Sequence, residues 1–252
     1  RSGQDSYVYG SVIDNATDDP TAIPMKNGDG FLQQWIAAAA HSSGAHSSEW
    51  RSDVCLLNQS SGTATAEIRF RGSDGRAATA VYQVSEGQQI VVSDVVAQMD
   101  MNGSGSIEVF SDGPLLASSR TYNAGADGTF GLFLDGVPTQ ATANEGDEVW
   151  LPQLRQNSAF RTNIGFLNSG TVEARVRIFL YDESGNELVS RWRTLEPHAW
   201  IQLQEPFSRL AGRTDIDAGY AQIEVASGDG VIAYASVIDN ATNDGTAITM
   251  KR

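Results

Sequence analysis

The feature that most constrains this chain is a segment that occurs near each end. Residues 9–26 read YGSVIDNATDDPTAIPMK, and residues 234–251 read YASVIDNATNDGTAITMK. Fourteen of the eighteen positions are identical, and the exceptions are the pairs Gly10/Ala235, Asp18/Asn243, Pro20/Gly245 and Pro24/Thr249. A weaker copy, residues 119–132, lies between them. Internal repetition of this kind indicates an architecture of repeated units.

Each copy consists of two apolar runs separated by a polar segment rich in Asp, Asn and Thr. Such polar residues bond to their own backbone and tolerate left-handed conformations, so the pattern predicts a β-hairpin with a loop of about six residues. The apolar side chains of the two terminal hairpins are Val12, Ile13, Ile23, Met25, Val237, Ile238, Ile248 and Met250. A lone hairpin is marginally stable in water, so these side chains need a partner surface.

The polar loops of the terminal hairpins have two interpretations. Their oxygen-bearing residues would suit a Ca²⁺ or sugar site, formed by Asp14, Asn15, Asp19, Asp239, Asn240 and Asp244. The same composition is what a turn held by side-chain-to-backbone hydrogen bonds requires. The turn is the favoured interpretation, because it needs no further assumption.

Between the hairpins, two parallel series of short runs alternate between apolar and polar residues. Ala66, Ile68 and Phe70 face one way in the first series, as do residues 176, 178 and 180 in the second. Period-two alternation marks half-buried antiparallel strands, and about eight such strands in each series predict two β-sandwiches. The predicted segments are an N-terminal hairpin (1–26), a first sandwich (27–139), a linker (140–145) and a second sandwich (146–252).

The N-terminal hairpin is therefore a surplus copy of the segment that closes each sandwich. It has three expected placements. It extends a sheet of the first sandwich, it belongs to a preceding domain of a longer tandem protein, or it adds strands to a neighbouring chain. The third placement makes a head-to-tail contact that does not close on itself and so builds fibres.

The net charge disfavours some classes of partner, and the one cysteine is expected to be structural. The formal net charge is −14, which disfavours binding to nucleic acid or to an anionic membrane surface. No run approaches the roughly eighteen apolar residues of a membrane span. The single cysteine, Cys55, lies in a predicted strand and is expected to be a small buried thiol.

Motifs that carry chemistry are scarce in this sequence. His41 and His46 share one loop with Glu49, but no convincing third metal ligand accompanies them. A nucleophile elbow and a phosphate-binding loop are both absent from the sequence. The sequence thus predicts no catalytic residue, no metal centre and no cofactor beyond the Ca²⁺ considered for the hairpin loops. Trp150, Trp192 and Trp200 either form a sugar-stacking platform or cap a sandwich core.

The order of turn and core residues resembles tandem Ig-like β-sandwich repeats of large secreted bacterial proteins. The segments that carry the resemblance are residues 50–53, 57–58, 118–123, 160–163, 167–168 and 234–240. The resemblance implies an all-β fold of two Ig-like antiparallel sandwiches, an extracellular or cell-surface setting, and a structural role without enzymatic activity. We therefore expect copies of the chain itself as partners, joined into a fibre, stalk or sheath. The alternative is a carbohydrate-binding or adhesion module pair of a larger secreted protein, with a glycan as partner.

Overall fold

The chain is almost entirely antiparallel β-structure, as predicted from its alternating pattern. The computed structural model describes residues 8–26, 28, 30–125 and 128–252. Residues 1–7 of the predicted hairpin segment and residues 126–127 of the middle copy lie outside the described residues. In the described part, the strands form a separate N-terminal hairpin followed by two sandwiches.

The N-terminal hairpin consists of β1 (Tyr9–Ile13) and β2 (Pro20–Pro24). The two strands pair from Tyr9 with Pro24 to Ile13 with Pro20, and in the described part of the chain they pair with no other strand. Proline has no N–H group to donate, so Pro20 and Pro24 suit a strand at the edge of a sheet. The hairpin therefore does not extend a sheet of the first sandwich by backbone pairing.

The first sandwich has two sheets that share one long strand. Its elements are β3 (Phe31–Ser43), β4 (Glu49–Leu57), β5 (Ala64–Gly72), β6 (Ala77–Val84), β7 (Gln89–Val92), α1 (Val95–Gln98), β8 (Gly103–Gly125), β9 (Gly128–Asp135) and β10 (Val137–Pro138). Residues 103–115 of β8 pair with β3 and β5 in what we call the back sheet, which continues to β10 and β6. Residues 116–125 pair with β4 and β9 in the front sheet, which also contains β7.

The second sandwich repeats this topology. Its elements are β11 (Glu148–Gln156), β12 (Phe160–Asn168), β13 (Ala174–Tyr181), β14 (Glu187–Leu195), β15 (Trp200–Gln204), α2 (Pro206–Ala211), β16 (Ile216–Ser227), β17 (Val231–Asp239) and β18 (Gly245–Thr249). The back sheet has the order β11-β16-β13-β14, and the front sheet has the order β15-β12-β17-β18. Residues 228–230 separate β16 from β17, where the first sandwich uses the single strand β8. Ala143, inside the predicted linker, is fully buried in the core of the second sandwich and pairs with Val231.

Each core lies between the two sheets and is built from the predicted alternating positions. Ala66, Ile68 and Phe70 of β5 are fully buried, and so are Val176, Ile178 and Leu180 of β13. Continuous apolar clusters of this kind supply most of the favourable free energy of folding.

A buried asparagine fixes the alignment between the two sandwiches. The Nδ2 of Asn58 donates to the backbone oxygens of Gly62 and Val84, both at 2.9 Å. The Nδ2 of Asn168 donates to those of Val172 and Leu195, at 2.7 and 2.9 Å. Asn58 thus corresponds to Asn168. From the strand registers, Leu57 then corresponds to Leu167, Leu116 to Ile232 and Val81 to Trp192.

The middle closing hairpin differs from the two terminal ones. The pairing of β8 with β9 continues to Gly125 and Gly128, leaving two residues between the strands instead of a six-residue loop. Thr121 is the residue equivalent to Val237 of the last hairpin. Thr121 pairs with Leu132, whereas Val237 pairs with Thr246. The sequence similarity of residues 119–132 to the terminal copies therefore does not reflect the same strand pairing.

Candidate functional site

The two terminal hairpins have the same register but opposite environments. Tyr9 pairs with Pro24 and Val12 with Thr21, just as Tyr234 pairs with Thr249 and Val237 with Thr246. Val12 is 55% exposed, whereas Val237 is 8% exposed. The pairs Tyr9/Tyr234 and Ile13/Ile238 show the same contrast between exposed and buried copies.

Burial of the C-terminal copy has an identifiable cause. Strand β17 pairs along its other edge with β12, and Val237 packs into the core of the second sandwich. Ile248 and Met250 pack against the same core while remaining partly exposed. In the described part of the chain, β1 pairs only with β2. The N-terminal hairpin therefore presents a free strand edge and an apolar surface, formed by Val12, Ile13 and Met25, with Ile23 half-buried.

Polar contacts hold the N-terminal hairpin against β9 of its own chain. The Oδ2 of Asp14 accepts hydrogen bonds from the N–H and hydroxyl groups of Thr129, at 2.9 and 2.6 Å. These bonds lower the pKa of Asp14 to about 2, and the bond from the Thr129 hydroxyl group has the largest effect. The Oδ2 of Asp19 accepts from the N–H of Gly131 at 2.9 Å, and Lys26 Nζ donates to the Gly136 oxygen at 2.6 Å.

The predicted Ca²⁺ or sugar loops are closed by their own hydrogen bonds. In the C-terminal loop, Asp239 Oδ1 accepts from the N–H groups of Ala241 and Thr242, at 2.7 and 3.1 Å. Asn240 Oδ1 accepts from Arg161 at 2.9 Å. Asp14 likewise accepts from the N–H of Ala16 at 2.8 Å. Among the described residues, no group of three or more His, Cys, Asp or Glu side chains is arranged to hold a metal ion. The hydrogen bonds support the turn interpretation.

Two of these loop residues meet across the molecule. The carboxyl groups of Asp19 and Asp244 lie next to each other, where the N-terminal hairpin meets the closing hairpin of the second sandwich. Burial, followed by the charge of Asp19, raises the pKa of Asp244 to about 6. The guanidinium of Arg120 lies 3.4 Å from Asp19, and Asp239 adds a further negative charge near Asp244. Asn15 takes no part in this pair.

The two sandwiches pack on each other through an aromatic junction. Trp35 of β3 stacks on His198, with ring centroids 5.7 Å apart, and Trp200 Nε1 donates to the Ala37 oxygen at 2.7 Å. The apolar cluster at this junction comprises Trp35, Ala37, Leu167, Trp200, Ile232 and Tyr234. Of the predicted sugar-stacking tryptophans, Trp200 is therefore a junction residue.

Strand β9 contacts both terminal hairpins. It contacts β2 and β18, and a Cβ added to Gly245 of β18 would lie 3.1 Å from Leu132. Ala247 of β18 packs against the core of the first sandwich. Strand β2 of the N-terminal hairpin thus contacts the first sandwich much as β9 of the first sandwich contacts β18 of the second.

An open groove lies between the N-terminal hairpin and the outer face of the first sandwich's front sheet. Its volume is about 390 Å³, and its apolar lining includes Val12, Ile23, Cys55, Leu57, Val91 and Leu116. The predicted buried thiol of Cys55 is half-buried in this groove, and burial raises the pKa of that thiol.

The other two tryptophans considered for sugar stacking, Trp150 and Trp192, lie on the outer face of the second sandwich's back sheet, on its two edge strands. Trp150 of β11 begins an aromatic row with Tyr220, Tyr181 and Phe179, with successive ring centroids 6.1, 4.7 and 6.5 Å apart. The first pair is tilted by 46°, and the other two are stacked at 12° and 19°. Trp192 of β14 lies beneath the guanidinium of Arg175, 4.3 Å from its ring centroid.

The histidines of the 41–49 loop do not come together. His41 Nδ1 lies 2.8 Å from Asp94 Oδ2, and the His46 backbone oxygen accepts from Asn243 at 3.1 Å.

Sequence reasoning missed the junction role of Trp35 and His198. Trp35 lies within the run 31–40, whose apolar character was the available signal for its burial, and the first sandwich has no histidine in the place of His198.

Comparisons with known proteins give distant structural likenesses. No family model matches the chain, and no curated protein matches it. A crystal structure of Thermotoga maritima 1070 is 14% identical with a TM-score of 0.37, covering 43% of this chain and 95% of its own. A presumed secreted protein of Parabacteroides distasonis is 9% identical with a TM-score of 0.24, covering 96% and 86%. A β-glucuronidase of Bacteroides uniformis is 9% identical with a TM-score of 0.18; the match covers 80% of this chain and 24% of the glucuronidase. Likenesses this distant do not define a function.

In the described part of the chain, the structure contains no helix with the length and apolar character to cross a membrane.

Proposed function

We propose that this chain is a non-enzymatic structural protein of the bacterial cell surface or extracellular space. Its subunits join head to tail into a fibre, stalk or sheath by β-strand addition through the terminal hairpins. The observation that carries this proposal is the pair of matching hairpins, identical in register, of which one is buried in a sandwich and the other is exposed. The extracellular setting rests on the resemblance to secreted tandem repeats.

The joining step is an exchange of hairpins. The N-terminal hairpin of one subunit takes the place of the C-terminal hairpin in the second sandwich of the next, so that β1 pairs with a β12 strand. Because fourteen of eighteen residues are the same, the exchange preserves most of the native contacts. It also covers Val12 and Ile13, and full burial of an aliphatic side chain is worth about 1.5–3 kcal/mol. The contact joins different surfaces, so it propagates into a filament.

Sedimentation velocity over a range of concentrations tests the proposal, with electron microscopy of the largest species. The wild-type chain is expected to form a concentration-dependent series of oligomers that appear as filaments. Combining Val12→Asp with Ile13→Asp places charges where the hairpin enters a core, so association should fall by about tenfold or more.

The matched control adds the same two charges to exposed valines elsewhere, with Val81→Asp and Val172→Asp. This control is expected to associate like the wild type. A wild-type chain that stays monomeric up to the highest soluble concentration contradicts the proposal. Equal association of the two double variants contradicts the role of the hairpin.

A second candidate function is a carbohydrate-binding or adhesion module pair, and one observation favours it. The row Trp150, Tyr220, Tyr181 and Phe179 places aromatic rings along the outer face of a sheet. Tyr181 donates to Gln222 at 3.1 Å, which adds polar groups beside the rings. Rings with polar neighbours are suited to stacking on sugars. Binding of polysaccharides by the wild type, lost in Trp150→Ala and followed by tryptophan fluorescence, would support this function.

A further inference from the structure

Trp150 occupies in the second sandwich the position that Trp35 occupies in the first. With Asn58 aligned on Asn168, Ile68 of β5 corresponds to Ile178 of β13. Ile68 pairs with Val109 and Ile178 with Ile223, so these two also correspond. Trp35 pairs with Glu108, the residue before Val109. Trp150 pairs with Gln222, the residue before Ile223. The two tryptophans are thus equivalent.

The two tryptophans differ in their exposure. Trp35 is 1% exposed because the front sheet of the second sandwich covers it, whereas Trp150 is 37% exposed. Trp150 therefore has the position of a junction residue without a sandwich to receive it.

The surface that receives Trp35 also has an equivalent. Trp35 packs on Leu167, Ile232, Trp200 and Tyr234 of the second sandwich. The corresponding residues of the first sandwich are Leu57, Leu116, Gln89 and Ser118, and all four line the open groove. Two large aromatic side chains are replaced by smaller ones there, which leaves the groove open.

From this equivalence we infer that Trp150 of one copy docks into the groove on the first sandwich of a second copy. The contact repeats between chains the junction that Trp35 makes within one chain. The inference rests on the proposed head-to-tail assembly and names the surface at which it occurs. The occupant is a second copy because this chain already uses the equivalent residue to bind the equivalent surface.

The same geometry links docking to hairpin exchange. Within one chain, β9 of the first sandwich contacts β18 of the second, and β2 contacts β9 in turn. When a neighbouring chain docks its Trp150 into the groove, its β18 comes to the position beside β9 that β2 occupies. One of the two matching hairpins must leave, so docking and exchange occur together.

Two variants separate this inference from any general effect of removing an aromatic side chain. Trp150→Ala removes the docking side chain, and Trp192→Ala removes an exposed tryptophan from the opposite edge strand of the same sheet. Trp192 corresponds to Val81, which stays exposed in the first sandwich. Sedimentation velocity should show association weakened by about tenfold or more for Trp150→Ala, and within about twofold of wild type for Trp192→Ala.

Cys55 supplies a second readout inside the groove. Its rate of modification by a maleimide is expected to fall as wild-type protein concentration rises, because the docked neighbour covers it. In Trp150→Ala, whose fold is checked by circular dichroism, the rate should not change with concentration.

The outcomes distinguish the two proposals. If the wild type does not associate, the head-to-tail function itself fails. If it associates, but Trp150→Ala associates equally and Cys55 labelling is independent of concentration, the groove inference is overturned and hairpin joining stands. Loss of polysaccharide binding in Trp150→Ala with unchanged association would assign this face to a glycan and overturn the inference.

Discussion

At the scale of single residues, one asparagine in each sandwich supports the turn after the second strand of that sandwich, which is β4 in the first and β12 in the second. Asn58 is fully buried, and its amide nitrogen serves two backbone carbonyl groups. Its Oδ1 accepts from the N–H of Ser60 at 2.9 Å, so the side chain is fully engaged. A buried carbonyl that loses its donor keeps the cost of desolvation without the compensating bond.

We expect Asn58→Ala to destabilise the first sandwich by about 1–3 kcal/mol for each carbonyl that stays unsatisfied. Equilibrium unfolding in guanidinium chloride, followed by tryptophan fluorescence, measures the change. Asn102→Ala, at an exposed position, is the control and should change stability by no more than about 0.5 kcal/mol. Equal effects of the two substitutions would contradict the role of the buried amide.

At the scale of elements, a pairing of glycine with an aromatic residue occurs in the second front sheet and is absent at the equivalent position of the first. Gly165 of β12 pairs with Tyr234 of β17, and the equivalent pair in the first sandwich is Cys55 with Ser118. A Cβ added to Gly165 would overlap the ring of Tyr234. The glycine therefore makes room for an aromatic ring to lie across the strand, where that ring forms part of the junction.

Gly165→Ala is expected to destabilise the second sandwich by about 1–3 kcal/mol, because the ring of Tyr234 must move. In a Tyr234→Ser background, which copies the first sandwich, the same substitution should cost less than about 0.5 kcal/mol. A double-mutant cycle on unfolding free energies measures the difference. The same cost in both backgrounds would show that the ring is not the cause.

Particular residues show how far the sequence alone leads. The alternation at 66, 68 and 70 predicts the core face of β5, because burial on one side of a strand imposes a period of two. The loop composition likewise predicts the terminal hairpins. The pairing of Asp19 with Asp244 and the docking of Trp35 against Trp200 were not predictable, because both depend on how distant segments pack in three dimensions.

At the scale of the whole molecule, the N-terminal hairpin, β9 and the last hairpin meet around the carboxyl pair of Asp19 and Asp244. Asp19 is also bonded to Gly131 and lies near Arg120, while Asp239 stands near Asp244. Loss of the proton from Asp244 places a second negative charge beside Asp19, which weakens this contact. The contact between the two ends of the chain therefore depends on pH.

The sign follows from the direction of the pKa shift. The pKa of Asp244 is about 6 in the folded chain, above the ordinary value of 3.8, so the folded state binds the proton more tightly. Its contribution to stability is present below about pH 4 and is lost as the pH rises to about 6. The pKa of Asp14 is lowered to about 2, so its contribution to stability is present above the ordinary value of 3.8 and is lost as the pH falls below it.

Asp244→Asn keeps a hydrogen-bonding side chain without the charge, so the variant should lose the decline in thermal midpoint between pH 4 and pH 6.5. Differential scanning calorimetry of wild type and variant across this range gives the comparison. Asp18→Asn, a change already present at the matching Asn243, is the control and should follow the wild-type profile. A decline of equal size in the Asp244→Asn variant would rule out the carboxyl pair as its source.

The unbroken strand β8 has a consequence for a subunit under mechanical load. Its 23 residues pass through both sheets of the first sandwich, whereas residues 228–230 interrupt the same path in the second. A pulling force on the two ends of the chain therefore acts on a continuous strand in the first sandwich and on a short extensible segment in the second. We therefore expect the second sandwich to unfold at a lower pulling force than the first.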